Sequence, residues 1–152
     1  MKSDSRRTKI LFLCTGNSCR SQMAEGWIRH LKGEFVDVRS AGTEKRGLDP
    51  RAVRVMAEAG VDISNQYSKL VEELEAMDFD YVITLCDHAR ESCPFFPGSA
   101  KLLHVGFDDP PALARDETEE DGRLKHYRRV RDEIRAFVES LPDALPSLDN
   151  RS

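Results

Sequence analysis

The octapeptide Cys14-Thr15-Gly16-Asn17-Ser18-Cys19-Arg20-Ser21 puts five residues between a cysteine and an arginine and follows the arginine with a hydroxyl. A cysteine attacks as its thiolate, and a free thiol has a pKa of about 8.5. Helix N-termini and cationic neighbours bring that to roughly 3.5–7.5. The apolar run Ile10 to Leu13 lies just before the octapeptide, and Met23, Ala24, Trp27, Ile28 and Leu31 recur at helical spacing after it. Cys14 is therefore expected at a strand end facing a helix N-terminus, where backbone N–H groups hold a tetrahedral anion. Arg20 offers a planar fork of donors for two oxygens of such an anion. Ser21 can donate a hydrogen bond to the thiolate. Gly16 permits close backbone approach, and Asn17 tolerates positive φ. Thr15, Gly16, Asn17, Ser18, Cys19 and Arg20 are the candidate oxyanion cradle, and Cys14 the nucleophile. Cys19 reads as a packed side chain in preference to a second redox thiol.

The flanking pattern says what must position this loop. Strands are predicted at Ile10–Leu13, Phe35–Arg39, Phe79–Leu85 and Lys101–Val105, the first a continuous apolar run of the kind found in buried parallel strands. Helices are predicted from Arg20 to about Gly33, from Pro50 to Gly60, over Leu70–Met77, and along Leu124, Tyr127, Ile134, Phe137 and Leu141. Ser40 to Gly42 reads as a turn. Alternating strands and helices imply an α/β fold: one doubly wound domain with a four-stranded parallel sheet flanked by helices. Its expected limits are 9–141, between flexible tails at 1–8 and 142–152.

With 152 residues, 39% of them apolar and 33% charged, the chain suits a single soluble domain. No apolar run reaches the roughly 20 residues of a membrane span. Met1 to Lys9 has no apolar stretch of signal-peptide length, so the cytoplasm is the expected location. A formal net charge of −4 argues against nucleic acid as a partner and requires an anionic substrate to be drawn by a local site. Four cysteines in such a chain suggest reactive thiols or a metal site before a disulfide framework.

The segments CTGNSCRSQMAEGW (14–27), VRSAGTE (38–44), VDISNQ (61–66), VITLC (82–86), GFDDP (106–110) and RVRDEI (129–134), with the cysteine at 93, resemble the arsenate reductases of the low-molecular-weight protein tyrosine phosphatase fold. The resemblance spans nearly the whole chain between the tails and implies a phosphatase-I-like fold. It also implies a relay of Cys14, Cys86 and Cys93. Cys14 attacks arsenate, Cys86 attacks Cys14 and releases arsenite, and Cys93 resolves the Cys14–Cys86 disulfide into Cys86–Cys93. Thioredoxin, in preference to glutaredoxin, would reduce that last disulfide. Asp109, directly before Pro110, is implied as general acid, with Asp108 its rival. Were 87–92 helical, the rise would separate Cys86 from Cys93 by about 10 Å. A disulfide needs Cα atoms within roughly 7 Å, so its formation would require unwinding.

One departure stands out. Some relatives bind potassium through residues matching Asn17, Glu25 and Ser40, with a carboxylate at the position of Lys69. A lysine ammonium there would take the cation's place, so no potassium requirement is expected. His30, His88, His104 and His126 show no ligand spacing, and the cysteines lack the close pairs of most structural zinc sites. No metal or cofactor is called for, and a monomer is expected. The competing readings are a low-molecular-weight tyrosine phosphatase, which needs the loop alone, and a non-enzymatic arsenite-binding or metal-binding thiol protein.

Overall fold

The computed structural model describes residues 7–74, 76–86 and 100–149. Strand β1 (Thr8–Cys14) lies inside a four-stranded sheet of order β2-β1-β3-β4, with β2 Val36–Gly42, β3 Tyr81–Thr84 and β4 Lys101–His104. All pairings are parallel. Ile10 to Cys14 are buried without a break, as a strand covered on both faces requires. Helix α1 (Arg20–Leu31) follows the loop, and α2 spans Pro50–Glu58. A 3₁₀ turn covers Val71–Leu74, and α3 (Pro110–Ala114), α4 (Glu120–Glu139) and α5 (Leu145–Asp149) complete the order.

The alternation of side chains along β1 divides the core. Ile10 and Phe12 join Met23, Trp27, Met56, Tyr127, Val130 and Ile134 from α1, α2 and α4 on one face. Leu11 and Leu13 join Val71, Phe79 and Val82 on the other, where Cys14 and Cys86 also pack. Helix α1 is buried continuously from Arg20 to Ile28, which fixes the geometry of the loop it terminates. Asp49 caps α2 by accepting from Arg51 N, with Pro50 at the first helical position.

Three expectations need correction. Ser40 to Gly42 is strand, because Phe12, Leu13 and Cys14 pair with Ser40, Ala41 and Gly42 across the sheet; tertiary pairing overrides turn-like composition. The segment Leu70–Met77 closes only a 3₁₀ turn, Val71–Leu74. The tail expected to fray from Pro142 instead carries α5, and Leu141 and Leu145 are buried in the main core.

Candidate functional site

The loop between β1 and α1 is held by its carbonyls. Thr15 O accepts from Glu44 N at 2.8 Å and from Thr43 Oγ1 at 3.3 Å. Gly16 O accepts from Arg46 N at 3.1 Å and from Ser68 Oγ at 3.0 Å. Asn17 O accepts from Gln22 Nε2 at 2.9 Å, and Ser18 O from Asp49 N at 2.9 Å. In a trans peptide the C=O and the next N–H point in opposite directions. Fixing these four carbonyls outward therefore turns the N–H groups of residues 16 to 19 the other way. Beside the loop lies a cleft of about 550 Å³ that Cys14, Thr15, Gly16, Ser18, Cys19, Arg20 and Asp109 help to line. Consecutive inward N–H groups ahead of a helix N-terminus form an anion cradle. Gly42 is indispensable here, since a Cβ on it would lie 2.7 Å from Asn17 N, Thr15 O and Glu44 O.

Asn17 adopts the expected positive φ, at 47°, and organises a buried polar network behind the loop. Its amide nitrogen donates to Ser21 Oγ at 2.9 Å and to Ser40 Oγ at 3.1 Å. Held as an acceptor by Asn17, Ser21 keeps its own O–H to donate. Ser40 Oγ donates to Glu25 Oε1 at 2.6 Å. Asn17 Oδ1 accepts from Lys69 N at 2.9 Å. The Lys69 ammonium donates to Ser40 O at 2.9 Å and Tyr67 O at 3.1 Å, and it lies 4.6 Å from the Tyr67 ring centroid. Burial lowers the Lys69 pKa, while Glu25 pulls it back up. The ammonium thus fills the ground between Ser40, Tyr67 and Glu25, the place expected for it from the sequence.

Cys14 ends β1, and Cys86 stands two residues beyond β3, the strand paired with it. Both side chains are buried thiols, as is that of Cys19. Thr15 Oγ1 lies 3.1 Å from Cys86 Sγ. A hydrogen bond with Cys86, then burial, push the Cys14 pKa well up, and Arg20 pulls it down. The acidic thiol expected for Cys14 is therefore not what this arrangement holds. The pushes from Cys86 and burial exceed the pull of Arg20. Burial likewise raises Cys19, which packs in the main core as anticipated.

Arg20 is sunk beneath the loop. Its NH1 donates to Phe107 O at 2.9 Å, and its NH2 sits 3.5 Å from Asp109 Oδ1. Burial opposes its charge, and Cys14 and Asp109 outweigh that. Among the described residues, Arg20 Nε is the single buried side-chain polar atom with no hydrogen-bond partner, a donor left for a ligand. Asp109 stands at the N-cap position of α3, its side chain making no capping hydrogen bond, and lines the cleft. Its rival Asp108 turns away to pair with Arg129 at 2.9 Å.

The structure thus brings together Cys14, Thr15, Gly16, Ser18, Cys19, Arg20, Asp109 and Cys86, with Asn17 and Ser21 directly behind. Cys93 and His88 lie outside the described residues. Sequence reasoning missed Gln22, Thr43, Ser68 and Asp49, whose donors hold the loop. Only Asp49 carried a signal, as a capping residue before Pro50. Among the described residues no group of three His, Cys, Asp or Glu side chains is placed to hold a metal.

The family described as low molecular weight phosphotyrosine protein phosphatase matches residues 9–148. The arsenate reductase of Bacillus subtilis is 50% identical over 125 residues, 82% of this chain and 88% of that one. A solved arsenate reductase in its oxidised state superimposes with a TM-score of 0.71 at 33% identity, covering 88% of this chain and 95% of that chain. A thioredoxin-dependent arsenate reductase from Corynebacterium glutamicum superimposes with a TM-score of 0.68 at 25% identity, over 95% of this chain and 65% of that chain.

Proposed function

This chain belongs to the low molecular weight phosphotyrosine protein phosphatase family, and on that premise we propose that it reduces arsenate to arsenite through a relay of thiols. The observation that carries the reading is Cys86. A phosphatase needs one thiol in an oxyanion loop; here a second thiol packs in the same cluster as the first and lies 3.1 Å from Thr15 Oγ1 of that loop. The likeness to arsenate reductases at 50% identity supports the same choice.

In the proposed mechanism, arsenate settles on the inward N–H groups and on Arg20, whose Nε is the unpartnered donor. Cys14 passes its proton to an arsenate oxygen, and Arg20 and a hydrogen bond from Ser21 hold the resulting thiolate. Cys14 sulfur displaces an oxygen of arsenate, and Asp109 supplies the proton with which that oxygen leaves as water. Cys86 thiolate then attacks Cys14 sulfur. A sulfur–sulfur bond forms, and the sulfur–arsenic bond breaks with its electron pair left on arsenic, which departs as arsenite. Cys93 attacks Cys86, freeing the Cys14 thiolate and leaving a Cys86–Cys93 disulfide. An external dithiol reduces that disulfide by the same exchange chemistry. Thioredoxin fits as this dithiol, since the Corynebacterium relative is thioredoxin-dependent. The protein is proposed to act as a cytoplasmic monomer without cofactor. Among the described residues no helix is long and apolar enough to cross a membrane.

The test follows NADPH oxidation with arsenate, thioredoxin and thioredoxin reductase, for wild type, Cys86→Ser and Cys93→Ser. Turnover that needs both thiols supports the relay. Efficient hydrolysis of an aryl phosphate by all three proteins, without arsenate turnover, would establish the phosphatase instead. Stoichiometric arsenite binding with neither activity would establish a binding protein.

A further inference from the structure

Arg20 cannot be the first cation that an approaching anion meets. It is 8% exposed, and its fork is partly engaged by Phe107 O and Asp109. The chain as a whole is acidic, with a net charge of −4, so its overall field repels a dianion. The cleft mouth carries a second guanidinium with an unusual anchorage. Arg46 N donates to Gly16 O at 3.1 Å, and the side chain lies back across the loop. A Cβ on Gly16 would come within 2.6 Å of Arg46 Cδ and 2.9 Å of its Cγ. The stem of Arg46 therefore rests on the glycine of the cradle, and its head stands at the opening, with the side chain 57% exposed.

Glu44 holds that head. Arg46 Nε and NH2 donate to the same carboxylate oxygen at 2.9 and 2.8 Å, while Glu44 N is tied to Thr15 O. Cation and carboxylate are thus each fixed by backbone to neighbouring residues of the loop, and both line the cleft. We propose that Arg46 is a specificity-determining residue that captures the tetrahedral dianion at the cleft mouth, with Glu44 as the built-in competitor the ion must displace. The proposal rests on the oxyanion reading of the loop and assigns no chemistry to either side chain. Arg115 also lines the cleft, but among the described residues no hydrogen bond from its side chain fixes it there.

The two partners make opposite predictions, which misfolding cannot imitate. Binding of inorganic phosphate to the reduced, full-length protein is measured by calorimetry at low and high salt. Arg46→Ala should weaken binding roughly five- to tenfold and flatten its salt dependence, as expected for one cation a few ångströms from a dianion in water. Glu44→Gln should tighten binding about two- to fivefold, and Arg46→Lys should restore most of what alanine loses. Under arsenate turnover these changes should appear in KM, with kcat unaltered. Wild-type binding that neither Arg46→Ala nor Glu44→Gln alters, or that both weaken, would overturn the role of Arg46 and leave the oxyanion loop intact. Wild-type protein that binds neither phosphate nor arsenate would overturn the loop reading and this proposal together.

Discussion

Lys69→Met is the most informative single change behind the loop, because methionine keeps the apolar stem and removes only the ammonium. Two backbone carbonyls, Ser40 O and Tyr67 O, lose donors at 2.9 and 3.1 Å. Tyr67 O keeps Gln22 Nε2 at 2.9 Å, so Ser40 O is the buried acceptor left unpaired, at about 1–3 kcal/mol. Glu25 loses a nearby cation but keeps Ser40 at 2.6 Å and Arg29 at 2.8 Å, and relief of ammonium burial offsets part of the loss. The net destabilisation is about 1–2 kcal/mol, which for a domain of this size lowers Tm by roughly 2–8 °C. The vacated ground is lined by two carbonyl oxygens and a carboxylate, oxygen donors suited to a hard cation. A monovalent ion present at ten times its Kd would return about 1.4 kcal/mol. Urea unfolding of both proteins in sodium chloride and in potassium chloride at equal ionic strength measures each quantity. Wild type should show one midpoint in both salts, and Lys69→Met a low midpoint in sodium that rises in potassium. A potassium-specific gain in wild type, or a variant as stable as wild type in sodium, would refute the reasoning.

Further expectations concern the thiols and the loop. Cys86 is the main cause of the raised Cys14 pKa, so Cys86→Ala should bring the Cys14 thiolate in at lower pH. Alkylation of Cys14 by iodoacetamide near pH 7 should then be faster in the variant, and an unchanged pH profile would count against the sulfur–sulfur hydrogen bond. Thr15→Val removes the hydroxyl 3.1 Å from Cys86 Sγ. It should slow single-turnover arsenite release by about tenfold, the scale of one hydrogen bond; equal release rates would free Thr15 of that role. Tyr127 OH donates to Asp49 Oδ2 at 2.7 Å, and Asp49 N supports Ser18 O. Tyr127→Phe should cost about 1.5–3 kcal/mol, the value of a hydrogen bond to a charged group, and thermal unfolding that matches wild type would contradict it.

The loop from Cys14 to Ser21 is legible because two different periodicities meet at it. The unbroken apolar run of β1 and the helical spacing of α1 locate Cys14 and Arg20 without any tertiary knowledge. Asp109 and Cys86 followed from family resemblance, and Lys69 from a departure within it. The second half of β2 stayed hidden because Ser40, Ala41 and Gly42 are strand only by pairing with β1. The donors Ser68 and Thr43 stayed hidden for a related reason. A hydroxyl that reaches a carbonyl 52 or 28 residues away leaves no local pattern. The high pKa of Cys14 depends on a contact across two strands, which spacing along the chain cannot express.

The outward-tied carbonyls of Thr15 to Ser18 bear on how this site could tell one pentavalent oxyanion from another. A cradle already rigid before the ion arrives has no closing motion to grant to arsenate and withhold from phosphate, and the two share charge and tetrahedral shape. Discrimination is then left to the step after binding, where arsenic accepts two electrons from sulfur and phosphorus does not. Phosphate would occupy the cradle and leave unchanged. Flux through such an enzyme inside a cell follows the ratio of arsenate to phosphate and not the arsenate level alone.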